Sequence, residues 1–244
     1  MNILILSAGQ PEYDTRDGDY PQCLIEFDGV PIIEHIVNKC KSLKPENIIF
    51  ALRSEDVSRF HLDSVVARLS PRSVVIKVNG TTPGAACTAL LGTPFIENDK
   101  ELLIMSANEL VDINLEDIIS DFRLRQLDGG TVIFSSIHPR YSYVRLSADG
   151  LVIEAAEKNP ISNHATAGLY WYALGKDFVE AVKNMIRKDA HVDGVFYICP
   201  AFNEMVLNQA KIGVKEIDSK KYHPLKTQRQ LQYFESIHGY GDDG

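Results

Sequence analysis

The sequence predicts an α/β fold in which a mixed, mostly parallel central sheet is flanked by helices. Residues 3–6 form an unbroken apolar run followed at once by small residues, which is typical of a strand buried on both faces. Further apolar runs alternate with helix-like patterns, as in α/β proteins. After Thr131, two strand-like segments are separated by a turn signal, which indicates an antiparallel hairpin in the same sheet.

The first part of the chain supplies the parallel strands. Apolar runs predict strands at residues 47–52, 73–78 and 101–105. Residues 31–43 carry apolar side chains at helical spacing, with a proline suited to the first turn. This segment is predicted to be the crossover helix between the first two strands.

The later part of the chain has a different pattern. Strands are predicted at residues 131–136, 143–146 and 151–156, with a turn at 147–150. Helices are predicted at residues 178–187, 201–208 and 228–237. No repeat or linker separates the two parts, so we predict a single domain over residues 1–244 with a distinct portion from residue 131.

Composition excludes several classes of function. The chain has 244 residues, of which 45% are hydrophobic, and a formal charge of −8 from 33 acidic and 25 basic residues. No block of basic residues indicates nucleic-acid binding. Because the chain is acidic overall, an anionic ligand would need a local cationic pocket. The four cysteines are too scattered for a zinc site or a disulfide framework. No apolar run reaches about 18 residues, and the first lacks a basic leader, so we expect a cytoplasmic protein that does not bind a membrane. The sequence leaves a homo-oligomer open.

The loop after the first strand is the first candidate binding site. It lies at the carboxyl edge of the predicted sheet, where open α/β folds bind ligands. Ser7, Ala8 and Gly9 are small enough for backbone N–H groups to approach a phosphate, and Arg16 could add a charge-assisted contact. The alternative is an ordinary polar loop with a surface arginine.

Residues 21–33, PQCLIEFDGVPII, extend this candidate site into a longer motif. They resemble the signature of sugar-phosphate nucleotidylyltransferases, in which a glycine-rich loop with an arginine precedes Pro-Lys-x-Leu and then Gly-x-Pro. Gln22 stands where the family has its lysine, and the glycine-rich loop is reduced to Gly9. The positions that match are Pro21, Leu24, Gly29 and Pro31.

The resemblance implies a Rossmann-like, GT-A-like nucleotidyltransferase fold. It also implies transfer of a nucleoside monophosphate from CTP, UTP or dTTP to a small phosphorylated acceptor, such as a sugar phosphate, with Mg²⁺ and release of pyrophosphate. Residues 1–130 would form the nucleotide-binding half and residues 131–244 the acceptor-binding portion. The catalytic candidates would be Arg16, Gln22 and Lys158.

Two further segments correspond to the nucleotide and metal sites of that family. Residues 79–90 resemble its Gly-x-Ala-x-Ala segment beside the nucleobase, where Gly80, Gly84 and Ala85 would permit close approach of a flat ring. A tightly packed helix start is the alternative. The strand at 101–105 runs into a polar tip where the family has an Asp that binds Mg²⁺. Here Glu109 falls nearest that place. Asn108, which precedes it, would bind the nucleotide.

Asp112 is a second candidate metal ligand at the same tip. Carboxylates suit Mg²⁺, which usually takes one or two of them together with substrate phosphates. An acidic loop or a helix cap is the alternative for Asp112.

The acceptor site is assigned from residues 136–172 and 193–204. Both segments resemble a branch of the superfamily encoded with bacterial capsule and surface-glycan genes. Lys158 would face the acceptor phosphate as a point charge, and Thr166, Asn203 and Glu204 would bind the rest of the acceptor. Lys158 could instead be a solvated lysine paired with a nearby glutamate, and Asn203 and Glu204 could instead cap and orient a helix.

Three other classes of protein compete with this interpretation. A nucleotide- or sugar-phosphate-binding regulatory relative without catalysis would explain Gln22 and Glu109. A glycosyltransferase would need an Asp-x-Asp metal motif after a strand, and the sequence has none there. A non-enzymatic interaction protein leaves the matched motifs unexplained, so the sequence favours the nucleotidylyltransferase.

Overall fold

A computed structural model describes residues 1–9, 20–27, 29–225, Gln230 and Tyr233. In chain order the strands are β1 (Asn2–Ser7), β2 (Glu26–Phe27), β3 (Val30–Pro31), β4 (Asn47–Arg53), β5 (Val74–Val78), β6 (Leu102–Ser106), β7 (Glu109–Val111), β8 (Gly129–Ser135), β9 (Ser142–Leu146), β10 (Val152–Glu157), β11 (His164–Tyr172), β12 (Ile212–Glu216) and β13 (Tyr222–Pro224). The α-helices are α1 (Ile32–Lys41), α2 (Ser54–Phe60), α3 (Leu62–Leu69), α4 (Ala85–Leu90), α5 (Thr93–Ile96), α6 (Leu115–Leu124), α7 (Gly175–Arg187) and α8 (Ala201–Leu207).

The central sheet runs in the order β10-β9-β11-β6-β1-β4-β5, and β8 and β12 extend it from the other side of β11. Strands β6, β1, β4 and β5 are parallel. Strand β11 is antiparallel to β6, β8 and β9, and β9 and β10 form the predicted hairpin. The predicted mixed sheet with a parallel centre and flanking helices is confirmed.

The strand that joins these two parts of the sheet is not predicted by the sequence pattern. Strand β11 mixes small and aromatic residues without alternation, so it lacks the usual strand signal. Its ladder with β8 is interrupted between Thr166 and Tyr170, where Gly168 has a φ of +69°. On either side of this bulge, Ala165 pairs with β9 and Leu169–Tyr172 pair with β6. Strands β12 and β13 are also absent from the prediction.

The predicted helices agree with the structure within a few residues. Helix α1 spans Ile32–Lys41 against the predicted 31–43, and Pro31 precedes its first residue. Helix α7 begins at Gly175, three residues before the prediction, and α8 ends at Leu207. The helix predicted at 228–237 lies outside the described residues apart from Gln230 and Tyr233.

Hydrophobic clusters cover both faces of the sheet. Alternate residues of β1 point to opposite sides, so Ile3 and Ile5 pack in one cluster with α1 and α6, while Leu4 packs in the other with α7 and α8. This explains why β1 is apolar at every core position. Among the residues described, no helix combines the length and apolar character needed to cross a bilayer.

The end of β11 supports a test of the core. Tyr172 is fully buried, and its hydroxyl has no hydrogen-bond partner among the described residues. A buried, unpaired polar group costs about 1–3 kcal/mol. We therefore expect Tyr172→Phe to raise the free energy of unfolding by about 1 kcal/mol, measured by chemical denaturation.

Tyr170 on the same strand is the matched control. Its hydroxyl lies 2.8 Å from Thr166 Oγ1, so Tyr170→Phe loses a hydrogen bond and is expected to lower the free energy of unfolding. Equal losses in the two variants would contradict this account of Tyr172.

Candidate active site

A cavity of about 470 Å³ opens at the carboxyl edge of the parallel strands. The last residues of β1, β4 and β6, which are Ser7, Arg53 and Ser106, all line it. The bulge of β11 and the end of β10 line its other side through Gly168 and Glu157. The cavity therefore lies where the parallel and antiparallel parts of the sheet meet. This is the position expected for a ligand site in an open α/β fold.

The first loop contributes one wall. Ser7, Ala8 and Gly9 line the cavity, as does Gln22 in the short helical turn that follows the loop. Arg16 lies outside the described residues. The Gln22 side-chain amide donates a hydrogen bond to the backbone carbonyl of Leu225, so this side chain contacts both the cavity and the later part of the chain.

The segment between β5 and α4 forms the adjacent wall. Gly84 and Ala85 line the cavity, together with Thr81 and Thr82. Gly84 has a φ of +115°, and a side chain there would collide with the backbone of Phe196. Glycine is therefore required by backbone shape and close packing.

Gly80 is separated from this wall. It has a φ of +67°, is exposed and does not line the cavity. Its left-handed turn directs the chain toward Thr81 and Thr82, so its contribution is to the shape of the loop.

Glu109 lies on the wall formed after β6, beside Asn108. Its carboxylate accepts a hydrogen bond from the Tyr222 hydroxyl. Burial, and then the charge of Glu109, raise the pKa of Tyr222 well above its usual value, which keeps the phenol protonated as a donor. A Cβ at Gly168 would lie 2.5 Å from Glu109 Oε1, so the glycine at the bulge makes room for the carboxylate.

Asp112 is three residues further on and is not part of the cavity lining. Its Oδ2 lies 2.7 Å from His223 Nε2, and its Oδ1 lies 3.5 Å from Lys39 Nζ. Burial raises the pKa of Asp112, but the hydrogen bond from His223 and the nearby charges outweigh it and lower the pKa overall. These contacts attach β13 to α1 and β7, which is a structural role.

The antiparallel side of the cavity is built from β9, β10 and β11, together with the segment before α8. Ser142, Glu157, Tyr170 and Tyr197 line it, and the Ser142 hydroxyl donates a hydrogen bond to Glu157. Lys158 is not in the lining, but its Nζ lies 5.3 Å from the centre of the Tyr197 ring, within cation–π range. This end offers hydroxyl groups, a carboxylate and an aromatic face.

Three of the expected acceptor residues do not line the cavity, and each has a partner within the fold. Thr166 is buried behind it and bonds to the Tyr170 hydroxyl. Asn203 exchanges two 2.8 Å hydrogen bonds with the backbone of Ala155, which attaches α8 to β10. Glu204 is buried and lies 2.7 Å from Lys188 Nζ. For Asn203 and Glu204 these contacts agree with the alternative of orienting a helix.

The charges of the lining bear on which groups can hold anionic substrates. Within the described part of the chain, the lining has one cationic side chain, Arg53, and three carboxylates, Asp56, Glu109 and Glu157. No cluster of three or more metal-binding side chains occurs among the described residues. Glu109 nonetheless fits Mg²⁺ as a single protein ligand, because this ion takes its other ligands from phosphates and water.

Several lining residues are absent from the prediction. Arg53 ends β4 and Asp56 lies in α2, while Ser142 and Tyr170 lie on strands whose cavity side becomes clear only from the sheet pairing. A charged pair immediately after a predicted parallel strand is the one signal that could have identified Arg53 and Asp56, since strand ends share one edge.

Comparison with known proteins agrees with this architecture. Residues 15–216 match the family model for nucleotidyl transferases. The bifunctional protein GlmU of Buchnera aphidicola subsp. Schizaphis graminum is 22% identical over 228 residues, which are 89% of this chain and 47% of GlmU. The chain thus spans about half the length of that relative.

Two solved structures share the fold. The nucleoside-diphosphate-sugar pyrophosphorylase from Vibrio cholerae RC9 has a TM-score of 0.80 at 20% identity, covering 96% of this chain and 99% of its own. A Bacillus anthracis protein, provisionally assigned as a glucose-1-phosphate thymidylyltransferase and solved with sucrose, has a TM-score of 0.75 at 18% identity. That comparison covers 100% of this chain and 97% of the other. The fold is that of nucleotidyltransferases. By its family match, this chain belongs to the nucleotidyl transferase family.

The contact between Gly168 and Glu109 can be tested by substitution. We expect Gly168→Ala to lower the free energy of unfolding by about 1–3 kcal/mol more than Gly150→Ala, because the added methyl group overpacks the Glu109 carboxylate. Both glycines have a left-handed φ, +69° and +73°, but nothing lies within 4 Å of a Cβ at Gly150. Equal losses in chemical denaturation would show that Glu109 does not constrain this bulge.

Proposed function

We propose that the protein transfers a nucleoside monophosphate from CTP, UTP or dTTP to a small phosphorylated acceptor, such as a sugar phosphate, and releases pyrophosphate. The observation that carries the proposal is the single cavity shared by two chemically different ends. The nucleotide end has the small residues Ser7–Gly9 and Gly84, and the acceptor end has Glu157, Tyr170 and Tyr197. A nucleotide and a second, hydroxylated molecule can therefore meet in one cavity.

The nucleotide end supports binding of a flat ring and a phosphate chain. The backbone N–H groups of Ala8 and Gly9 belong to a loop after a parallel strand, where phosphates bind in many α/β proteins. Gly84 and Ala85 bring backbone close to the cavity on the facing wall. Arg16, which follows these residues in the sequence, is proposed to hold the triphosphate.

The acceptor end supports a small polar partner. Glu157 and Ser142 offer hydrogen-bond groups for hydroxyls, and Tyr197 offers an apolar face. Lys158 is proposed to neutralise the acceptor phosphate from its position beside Tyr197. Thr166, Asn203 and Glu204 are proposed to support this end indirectly, through Tyr170, β10 and α8.

In the reaction, an oxygen of the acceptor phosphate attacks the α-phosphorus of the NTP in line. The new P–O bond forms as the bond between the α-phosphorus and the oxygen bridging it to the β-phosphate breaks. Pyrophosphate leaves with the electron pair of that bond. Little covalent work is required of the chain, whose task is to position two anions and reduce their repulsion. We further propose that the product is a precursor for surface polysaccharide made in the cytoplasm.

We propose that the reaction uses a divalent cation, because the described lining contains more carboxylates than cations. Mg²⁺, held by Glu109 together with substrate phosphates, would neutralise charge on the reacting phosphates. Asp112 would act through the strand pairing of β7 and β13, which positions Glu109.

A second candidate function is nucleotide or sugar-phosphate binding without turnover. The hydrogen bond from Gln22 to the Leu225 carbonyl favours it, because the residue at the family's lysine position supplies no charge and already has a backbone partner. Losing one cation at such a site could cost a few kcal/mol of transition-state stabilisation, on the order of 10²-fold or more in rate.

Turnover is tested by incubating the protein with each NTP, Mg²⁺ and a panel of sugar phosphates and amino-alcohol phosphates while pyrophosphate is measured. We expect release with a pyrimidine NTP and at least one acceptor, and none when Mg²⁺ is removed by a chelator. Nucleotide binding by calorimetry with no release for any acceptor would instead support the binding function.

Replacing Gln22 with Lys tests the position of that side chain. We expect Gln22→Lys to raise NTP affinity or the rate of pyrophosphate release by roughly 10-fold, because a cation is added beside the phosphates. Gln209→Lys adds the same charge at an exposed position away from the cavity and is expected to change neither. Unchanged kinetics in Gln22→Lys would remove residue 22 from the phosphate site.

A further inference from the structure

Arg53 occupies a position in the cavity that neither the motifs nor the proposed reaction uses. It is the last residue of β4, which pairs on one side with β1, whose last residue is Ser7, and on the other with β5, whose last residue is Val78. Thr81, Thr82 and Gly84 follow β5 and line the same cavity. Arg53 therefore lies between the two walls that would enclose the base of a bound nucleotide.

The guanidinium group of Arg53 is held in a fixed orientation. Its Nε lies 2.7 Å from Asp56 Oδ2 and its Nη2 lies 2.6 Å from Asp56 Oδ1, a bidentate ion pair. Asp56 is only 2% exposed. A buried carboxylate that accepts two bonds in one plane fixes the direction of the arginine fork more firmly than a surface pair would.

This pairing leaves the other edge of the guanidinium unused by Asp56, in a residue that belongs to the cavity lining. Asp56 accepts from Nε and from one hydrogen of Nη2, whereas the Nη1 hydrogens and the second Nη2 hydrogen have no hydrogen-bond partner among the described residues. The remaining Nη2 hydrogen and the Nη1 hydrogen beside it form a second fork of two parallel donors. A planar fork of donors matches two acceptor atoms that lie side by side in one plane.

Nucleobases differ in whether they offer such a pair. Cytosine presents O2 beside N3, and guanine presents O6 beside N7, as two adjacent acceptors. Uracil and thymine have a donor N3–H between their carbonyls, and the acceptor N7 of adenine neighbours an amino donor. Only the first two bases can therefore accept both hydrogen bonds from the fixed fork.

We infer that Arg53, positioned by Asp56, selects a nucleotide whose base presents two adjacent acceptor atoms, so that CTP is preferred among the pyrimidine nucleotides. The inference rests on the proposed nucleotide site and narrows its substrate. Guanine shares the recognised chemistry, and GTP is therefore included as a separate arm of the test.

The test measures binding without an acceptor, so it does not depend on turnover. Dissociation constants for CTP, GTP, UTP, dTTP and ATP are determined by calorimetry with Mg²⁺ for the wild-type protein and for Arg53→Lys. A bidentate arginine contact discriminates between bases by roughly 10-fold or more. We expect CTP or GTP to bind at least that much more tightly than UTP, dTTP and ATP.

Arg53→Lys keeps the charge but loses the fork, so the base preference should fall to within about 3-fold, while UTP affinity stays near its wild-type value. Arg123→Lys is the matched control, because Arg123 makes the same bidentate pair with Glu101 at 2.6 Å for both bonds but lies outside the cavity lining. It should retain the wild-type preference. Asp56→Asn provides a second variant, in which the guanidinium keeps its charge and loses its fixed orientation, and the preference should again fall.

Three results would overturn the inference: equal binding of all five nucleotides, an undiminished preference in Arg53→Lys, or no nucleotide binding. A preference lost in Arg53→Lys but accompanied by no pyrophosphate release would support the inference and reject the proposed transfer reaction. Pyrophosphate release without any base preference would support the transfer reaction and overturn the inference about Arg53.

Discussion

The backbone pairing of β11 with β6 is the contact on which the cavity depends. The two strands are antiparallel, with Leu169 opposite Met105 and Tyr172 opposite Leu102. The bulge around Gly168 consequently falls beside the carboxyl end of β6, where the parallel strands also end. Because this one ladder joins the parallel and antiparallel parts of the sheet, it brings residues that are distant in sequence, such as Ser106 and Gly168, to a common edge.

The segment from Tyr222 to Leu225 connects the walls of the cavity a second time. Its strand pairs with β7, and the Tyr222 hydroxyl bonds to Glu109. The backbone N–H of Leu225 donates to the Asn108 carbonyl at 2.9 Å, while its own carbonyl accepts from Gln22. A residue expected to face phosphates thus has a backbone partner more than 200 positions away, a contact that depends on the long-range fold.

The sequence predicts the lining residues well where backbone shape places them at the cavity. It predicts them less well where the direction of a side chain decides whether it reaches the cavity. Ser7, Gly9 and Gly84 line the cavity because loops after parallel strands meet at one edge. Asn203 and Glu204 belong to an equally recognisable motif, yet their side chains contact Ala155 and Lys188. A motif identifies which residues are close together along the chain, whereas the rotation of a helix decides which of them reach a cavity.

By itself, the sequence determined the α/β class, the parallel strands around β1, the crossover helix α1 and the hairpin of β9 and β10, because these follow from local apolar periodicity and turn residues. Tertiary structure alone decided that β11 is a central strand, since its pairing joins segments that are distant in sequence and its own pattern is irregular. It also decided that the end of β4 supplies a fixed arginine to the cavity. Such a placement depends on strand order, which local sequence does not specify.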